Sequence, residues 1–540
     1  MHRLNTSLYD AQFDPENGKR IPIPSWIMDS VIAALLRFQI ICKDLGVPND
    51  CIRIIATEAT RTAINSAEFM EAIKTATGID VDLLPKEDEG RIGALGIASG
   101  FGDIKGIALD LGGGSAQITW IISQRGNIRI SPNGSLSFPY GAAALTRKLA
   151  ELKEGKSKDE ADRDLAAFRQ EMKDNFVDAY GTLQIPKDLI DRAKMEGGFP
   201  LYLSGGGFRG WGYLLLYLNQ THGRDYPISI INGFTAQKSQ FENTDILKEI
   251  AHSAKKIFRV SDRRRKQAPA VAFLINVLAE ALPHGIKEAH FCQGGIREGI
   301  LFQELRPSVR MLDPLEVATG RFAPLSAESL NVLILGGIPR PSKNGRRRFP
   351  LSISSHVLQA FVNVLYVHST MSKESSSTAA LYSTSTGLMS TTHGVSHADR
   401  ARLALLLEER YHGELPPREI HFKSSLQQLL SQEEVWWIKY IGKIGFLISR
   451  LYPAGAVDEW KPRIILSAEW SNHLGKNRDK QGLELTCSIQ KVQNDPMKLK
   501  EALKDNVGII AKVGKPKHWP GGKDGWGMAV SVKVVEEDIL

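Results

Sequence analysis

The sequence predicts an α/β fold, because short β-branched runs alternate with stretches of helical periodicity between residues 25 and 305. Three predicted strands lead directly into glycine-rich turns, at 110–117 (DLGGGSAQ), 204–210 (SGGGFRG) and 294–299 (GGIREG). Hydrophobic residues make up 42% of the 540 residues and charged residues 24%. This balance is typical of a folded globular protein and excludes collagen-like, coiled-coil and largely disordered classes.

Charge and cysteine content narrow the class of protein. The 68 Lys and Arg residues against 60 Asp and Glu give a net charge of +8. We interpret the basic residues as spread along the chain, whereas nucleic-acid binders usually concentrate them. The excess of positive charge therefore suits an anionic small ligand or an acidic partner better than nucleic acid. Four separated cysteines without a CxxC pair indicate a reducing compartment. No signal peptide and no uninterrupted apolar run of about 20 residues is visible, so we expect a cytoplasmic protein without a membrane segment.

Residues 1–103 are predicted to form a first domain of alternating helices and strands. Apolar residues recur at helical spacing over 26–46, and further helices are predicted over 60–77 and 87–98. Short apolar runs predict strands at 52–57 and 81–85.

Residues 104–305 are predicted to form a second domain, which contains the three glycine turns. The segment 105–123 is expected to form strand, turn and strand, whereas 201–218 and 287–305 are expected to form strand, glycine turn and helix. Further helices are predicted over 159–180 and 269–282.

The sequence after residue 305 has a different texture. Residues 306–470 are predicted to be mostly helical, with helices over 351–368, 398–410 and 426–451 and a Ser/Thr-rich loop at 369–392. Residues 471–540 are predicted to form a small α+β unit, with strands at 483–491 and 528–535 flanking a helix at 497–510.

The first glycine turn is the sharpest candidate site. Gly112, Gly113 and Gly114 carry no Cβ, so the backbone amides can approach a phosphate closely, and Ser115 adds a hydroxyl donor. Asp110, at the end of its strand, is placed to hold a divalent cation. An ordinary glycine hairpin is the alternative, and the accompanying glycine turns favour phosphate binding.

The second turn places Gly205, Gly206 and Gly207 between a strand and a helix, where amides and the positive helix end attract anions. Its alternative is tight strand–helix packing. In the third turn, Arg297 is expected to pair with a neighbouring carboxylate such as Glu298.

Two further residues have both a structural and a functional interpretation. Arg61 follows a strand and can bind phosphate through its guanidinium, or it can form a salt bridge with the nearby Glu58. Glu89, near the start of a helix, can act as a general base or favour the helix dipole. His393 and His397 have the spacing of metal ligands on a helix, but capping or packing is the favoured interpretation.

The order ATxATRxAxN, EGRIGALG, ALDLGGGSAQ, LSGGGFRGW and GGIREGIL resembles the Ppx/GppA phosphatase family over about residues 8–305. The resemblance implies an actin-like (RNase H-like) two-lobed fold, with 1–103 and 104–305 as its lobes. It implies catalytic roles for Arg61 and Glu89, a metal-associated Asp110, and phosphate loops at 112–115 and 205–207. Mg²⁺ is the implied cofactor, and ATP, another nucleotide or polyphosphate is the implied ligand.

The chain departs from the family pattern in two ways. Gln117 stands where bacterial members have a glutamate, and a neutral amide can orient water but adds no charge to a Mg²⁺ site. The family also opens with a strand and an Asp-x-Gly-Ser-Asn phosphate loop, which the printed sequence does not contain. The resemblance therefore predicts a first lobe shortened at its N-terminus.

Within the family, the stretches at 7–14, 108–123, 396–416 and 441–455 resemble regulatory fungal members, which carry signals of mitochondrial state to nuclear transcription. The sequence thus predicts a regulatory protein that binds nucleotide or phosphate and acts through a protein partner. The alternative is an active Mg²⁺-dependent exopolyphosphatase or nucleotide phosphoanhydride hydrolase. We expect no direct nucleic-acid or membrane partner, and the sequence leaves a homodimer open.

Overall fold

The computed structural model describes residues 4, 6–14, 18–124, 127–221, 226–342, 345, 347–475, 477–490 and 496–537. The chain divides into two units, Met1–His222 with Ile231–Met311, and Gly223–Ile230 with Leu312–Leu540. This division lies close to the predicted boundary at 305/306. The predicted boundaries at 103/104 and 470/471 fall inside the two units.

The first unit begins with helices around a small sheet. Its elements are α1 (Ser25–Asp44), β1 (Ile54–Ala56), α2 (Glu58–Arg61), α3 (Ser66–Thr77), β2 (Val81–Leu83) and α4 (Lys86–Ala98). The predicted helix over 60–77 is therefore wrong in its first turn, since the chain breaks between α2 and α3. Asn65 causes the break, because its side-chain amide exchanges hydrogen bonds with the backbone of Ile23.

Helix α1 covers the small core of this region with one face only. Strands β1 and β2 pair in parallel, and within the described residues they form a sheet of two strands. Ile27 and Met28 of α1 pack with Phe69 and Ile73 of α3. By length and composition alone, α1 is apolar enough to cross a membrane, with 22% of it buried. Polar residues interrupt the apolar sequence of α1, so the absence of an uninterrupted apolar run did not reveal how apolar this helix is.

A seven-stranded sheet forms the rest of the first unit. Its strands are β3 (Ile104–Leu111), β4 (Ala116–Gln124), β5 (Asn127–Ile130), β6 (Leu136–Phe138), β7 (Phe199–Ser204), β8 (Thr235–Gln237) and β9 (Ile286–Phe291). The order is β5-β4-β3-β7-β9-β8, with β6 paired to β4. Strands β3, β7 and β9 are parallel, so their carboxyl ends lie at one edge of the sheet. All three glycine turns therefore begin at that edge.

Helices cover both faces of this sheet. The helices of this part of the first unit are α5 (Ala142–Glu151), α6 (Lys158–Thr182), α7 (Lys187–Glu196), α8 (Gly205–Thr221), α9 (Lys238–Phe241), α10 (Thr244–Ser253), α11 (Asp262–Ala281), α12 (Ile296–Glu304) and α13 (Pro307–Arg310). Ala94 and Ile97 of α4 pack on one face, against Ala108 and Ile121. On the other face α8 lies so close that a side chain at Gly207 would overlap Leu111.

The second unit is mainly helical. Its helices are α14 (Pro314–Gly320), α15 (Ala327–Gly336), α16 (Ser355–Asn363), α17 (Lys373–Tyr382), α18 (His397–Tyr411), α19 (Pro417–Gln427), α20 (Gln432–Leu451) and α21 (Pro496–Val513). Its strands are β10 (Ile464–Leu474), β11 (Lys480–Gln490) and β12 (Ala529–Glu537). Strand β11 pairs antiparallel with β10 and parallel with β12.

The predicted Ser/Thr-rich loop at 369–392 is wrong, because α17 occupies its centre and much of the segment is buried. Buried hydroxyls satisfy backbone groups here: Ser377 Oγ accepts from the amide of Gly413 at 2.7 Å. Arg400, which is 1% exposed, donates to backbone carbonyls of residues 384–392. The segment is thus part of the core. Its polar composition did not indicate burial, because the hydroxyl groups are satisfied by backbone groups.

The C-terminal sheet shares its core with the helices. Ile464, Leu466 and Leu485 of the sheet lie in the same buried cluster as Trp436 and Tyr440 of α20. The sequence did not predict β10. It also treated 471–540 as a separate small unit, whereas these residues complete the helical core.

Candidate functional site

The glycine turn between β3 and β4 holds its carbonyl groups against the start of α5. Backbone amides at residues 141–144 donate to the carbonyl oxygens of Gly112, Gly113 and Gly114, at 2.9–3.3 Å. A side chain at Gly141 would overlap the turn, so this glycine permits the close approach. Within the described part of the chain, the amides of Gly113 and Gly114 have no hydrogen-bond partner.

The second glycine turn lies beside the first. The parallel register of β3 and β7 pairs Asp110 with Ser204, whose hydroxyl donates to the Asp110 carboxylate. Gly205 follows with φ of +88°, and a Cβ there would meet the backbone of Leu111. Helix α8 starts at this residue, so its free N-terminal amides lie next to Asp110. The predicted residues of both turns are therefore brought together.

A chain of polar contacts joins three predicted residues to the first turn. Arg61 Nη2 donates to Glu58 at 2.7 Å and to Glu89 at 2.9 Å. Gln117 Nε2 lies 3.4 Å from Glu89 Oε1 and 2.9 Å from Ser115 Oγ. The salt bridge with Glu58 is present, and Arg61 also reaches Glu89.

The position of Glu89 depends on the close packing of α4 against the sheet. A side chain at Gly90 would overlap Ser135, so glycine allows the first turn of α4 to approach β4, where Gln117 lies. Glu89 is consequently buried, at 8% exposure. A carboxylate held this deep needs a cation beside it, which Arg61 supplies.

Burial perturbs both acids of the site. Burial raises the pKa of Glu89 above its ordinary value, and Arg61 opposes the rise without cancelling it. Burial likewise raises the pKa of Asp110, although the Ser204 hydroxyl and the charge of Arg209 act in the opposite direction. Perturbed acids in one place are typical of functional sites.

Two arginines near the start of α8, Arg209 of α8 itself and Arg264 of α11, were not predicted as site residues. Arg209 lies close enough to Asp110 to act on its pKa, and its guanidinium donates to the carbonyl of Gln293 at 3.4 Å. The guanidinium of Arg264, from α11, would lie 3.7 Å from a Cβ at Gly206. In the sequence, Arg264 stands out only as part of the basic run 263–266. Nothing in that run indicates that Arg264 lies close to Gly206.

Tyr9 is a further residue that the sequence did not indicate. Its ring lies on the first turn, where a Cβ at Gly114 would come within 2.9 Å of it. The segment is anchored by Gln12, whose amide donates to the carbonyl of Ala59 at 2.7 Å. Half-burial raises the pKa of Tyr9. Tyr9 thus forms one wall of the space beside the β3–β4 turn.

The third glycine turn is filled by backbone. A side chain at Gly294 would overlap the carbonyl of Gly96 in α4, and one at Gly299 would overlap the carbonyl of Ile92. Arg297 donates to Glu298, as predicted. These glycines serve the contact between α4 and α12.

The donor atoms present test the predicted metal and histidine sites. Within the described ranges, no group of three or more His, Cys, Asp or Glu side chains could hold a metal ion. Two acidic side chains lie near the β3–β4 turn: Asp110 at the end of β3, and Glu58, whose Cγ would be 3.5 Å from a Cβ at Gly114. Because Glu58 is already paired with Arg61, this donor set fits Mg²⁺ only as an ion carried mainly by phosphate oxygens. His397 is buried, with its two ring nitrogens 2.7 Å from Tyr226 Oη and 2.8 Å from the carbonyl of Ile230, which is the packing role predicted for it.

Comparison with known proteins matches both units. The Ppx/GppA phosphatase family model matches residues 2–307, and the model of the RTG2 C-terminal domain matches residues 313–537. Retrograde regulation protein 2 of Saccharomyces cerevisiae is 39% identical over 470 residues, covering 84% of this chain and 76% of that protein. Exopolyphosphatase 1 of Mycobacterium tuberculosis is 31% identical over 108 residues, covering 19% of this chain and 30% of that protein.

Solved structures of the same kind are also similar. The Ppx/GppA phosphatase of Aquifex aeolicus is 20% identical with a TM-score of 0.36, covering 54% of this chain and 86% of that chain. An exopolyphosphatase from Cytophaga hutchinsonii is 18% identical with a TM-score of 0.37, covering 53% of this chain and 85% of that chain. The family model spans more than half of the sequence, and it contains every residue of the site described above. This chain therefore belongs to the Ppx/GppA phosphatase family and carries an additional C-terminal region.

Proposed function

We propose that this protein is a cytoplasmic regulator that binds the phosphate chain of a nucleotide or of polyphosphate at the β3–β4 turn. Binding would relay mitochondrial or metabolic state to nuclear transcription through a protein partner. The name of the yeast relative, retrograde regulation protein 2, supports the regulatory role. The observation that carries the proposal is Gln117, which places a neutral amide between Glu89 and Ser115.

The residues of this chain suffice to bind phosphate. The amides of Gly113 and Gly114 and the hydroxyl of Ser115 supply donors at one turn, and the start of α8 supplies further amides. If Mg²⁺ accompanies the phosphates, Asp110 is its protein carboxylate, and the ion neutralises phosphate charge.

Gln117 and Arg61 favour binding over turnover. A glutamate at position 117 would add a second negative charge for a metal ion, which the amide does not provide. Arg61 is already held by Glu58 and Glu89, at 2.7 and 2.9 Å. Both of these part-buried ion pairs engage Arg61 Nη2, so this nitrogen could contact a phosphate only after one of the pairs had rearranged.

Hydrolysis of a phosphoanhydride is the second candidate function. Glu89 lies one side chain away from the phosphate loop, and its raised pKa brings it nearer to the range of an effective general base. In that case Glu89 would accept a proton from the attacking water, while the loop amides would stabilise the transferring phosphoryl group.

One experiment separates the two functions. Binding of ATP and of tripolyphosphate to the purified protein is measured by calorimetry with Mg²⁺, and phosphate release is followed in the same samples. Glu89→Gln is the test variant. Glu87→Gln is the matched control, because Glu87 lies in the same first turn of α4 but is exposed.

Binding without turnover, in the wild type and in both variants, is the result that the regulatory function predicts. Phosphate release that is abolished by Glu89→Gln and retained in Glu87→Gln would establish the hydrolase instead. Absence of binding to either compound would contradict both functions.

A further inference from the structure

The positive charge of the chain is not spread evenly, contrary to the interpretation from overall composition. Residues 248–266 (KEIAHSAKKIFRVSDRRRK) hold eight Lys and Arg residues against one Glu and one Asp, a net charge of +6 against +8 for the whole chain. The segment runs from the end of α10, through the loop at 254–261, to the first turn of α11. Most of the excess is therefore placed on one surface.

Several cations of this surface are available to a partner. Lys248 pairs with Asp245 at 2.6 Å. By contrast, Lys255, Lys256, Arg259 and Lys266 are exposed. Among the described residues, no carboxylate lies within 4.0 Å of any of these four. Unpaired cations at this density create a positive potential that attracts an acidic partner.

A groove of about 380 Å³ lies between α10 and α11 within this surface. Ala251 and Pro269 contribute its apolar lining, and His252 and Lys266 contribute basic side chains. Its one acid, Asp262, is already 3.8 Å from Arg265. An apolar floor with basic walls matches a ligand that is itself both apolar and acidic.

We infer that this groove, called here the α10–α11 groove, binds an acidic segment of a partner protein that inserts an apolar side chain between Ala251 and Pro269. Charge complementarity selects the acidic segment, and the apolar floor favours a peptide, whose aliphatic side chains can cover it, over inorganic polyphosphate, which has no apolar part. The inference names the partner surface of the proposed regulator and rests on that proposal only in taking the partner to be a protein.

The backbone of the loop offers a clean test variant. Arg259 has φ of +59°, a left-handed conformation that is strained for a residue with a side chain and that glycine adopts freely. Arg259→Gly therefore removes a cation while relieving the strain. A loss of binding in a protein of undiminished stability would be due to the missing charge.

The test measures fluorescence anisotropy of a synthetic peptide that alternates Glu with Leu. The variants are Arg259→Gly and the triple substitution Lys255→Glu, Lys256→Glu and Lys266→Glu. A matched control reverses three exposed cations elsewhere in the first unit, namely Lys153→Glu, Lys158→Glu and Arg163→Glu. We expect the groove triple variant to weaken binding about tenfold or more and the control to leave it unchanged. Added salt should weaken wild-type binding.

Equal binding of the peptide to the wild type and to the groove variant would overturn the inference. The inference would also be overturned if the groove variant bound inorganic polyphosphate or a single-stranded oligonucleotide more weakly than the wild type but bound the peptide equally well. ATP binding is measured on the same samples. If the wild type does not bind ATP, the result counts against the proposed function. The inference about the α10–α11 groove depends only on the affinity for the peptide.

Discussion

The glycine turn after β3 and the glycine turn after β9 look alike in sequence but are used differently. Both follow parallel strands at the same edge of one sheet, and both begin with consecutive glycines. The space beside Gly294 is filled by the backbone of α4, whereas at Gly113 the nearest atom to a Cβ is 3.6 Å away. Glycine serves close packing in one turn and access to backbone amides in the other.

This difference teaches that a glycine motif predicts a backbone conformation, and the neighbouring elements decide its use. At the β3–β4 turn, amides at the start of α5 donate to the glycine carbonyls, and the amides of Gly113 and Gly114 have no hydrogen-bond partner among the described residues. At the turn after β9, α4 and α12 approach until backbone meets backbone. Ligand binding is therefore expected at the first turn and at the neighbouring start of α8.

Adding a methyl group to the packed turn should have the largest effect. In Gly294→Ala the new Cβ overlaps the Gly96 carbonyl, and backbone atoms cannot move aside as a side chain can. We expect the free energy of unfolding of the first unit to fall by about 3 kcal/mol or more, measured by urea denaturation. Unfolding energies within experimental error of the wild type would show that this turn is not close-packed.

A charge placed beside the open turn should have the next largest effect. Gln117→Glu would set a second carboxylate near Glu89, across the present 3.4 Å contact. Like charges and burial raise the folded-state pKa of the pair above the unfolded value, so the folded state binds more protons.

Stability of Gln117→Glu should therefore equal that of the wild type in acid. It should fall by about 2 kcal/mol as the pH rises through the raised folded-state pKa towards neutrality. Thermal unfolding across this pH range checks the expectation, and Mg²⁺ should restore part of the loss. A difference between variant and wild type that does not change with pH would contradict the described contact.

A methyl group at the open turn should affect binding and spare stability. In Gly113→Ala the Cβ has room, because Tyr9 lies at an ordinary 3.6 Å. We expect stability within about 0.5 kcal/mol of the wild type and affinity for ATP or tripolyphosphate about tenfold lower. Calorimetric titration measures the affinity. A Gly113→Ala protein that binds as tightly as the wild type would remove the turn from the ligand site.

The smallest effect is expected at Arg297, the most prominent charged residue of the packed turn. It is exposed and pairs only with Glu298 among the residues that the structure describes. Exposed ion pairs contribute little, so Arg297→Ala should change stability by less than about 0.5 kcal/mol and leave phosphate binding intact. A clear fall in ATP affinity would indicate that both turns bind phosphate.

Sequence patterns predicted four strands of the large sheet, β3, β4, β7 and β9, and the placement of Asp110 and the glycine turns, because these depend on local periodicity and glycine spacing. The short strands β5, β6 and β8 were not predicted. The contact of Tyr9 with Gly114 and the approach of Arg264 to Gly206 depend on tertiary packing, which local patterns do not encode. The segment 369–392 was misjudged for a related reason. Its hydroxyls are satisfied by backbone groups that other elements bring to it.

The central claim is that the amides of Gly113 and Gly114 bind phosphate and that those of Gly294 and Gly295 do not. Amide resonances of the protein labelled with ¹⁵N-glycine test it directly, with assignments from Gly113→Ala and from the Gly295→Ala variant. On addition of tripolyphosphate, we predict shifts at Gly113 and Gly114 and unchanged resonances at Gly294 and Gly295. Shifts confined to Gly294 and Gly295, or no shift at Gly113 with saturating tripolyphosphate, would contradict the account.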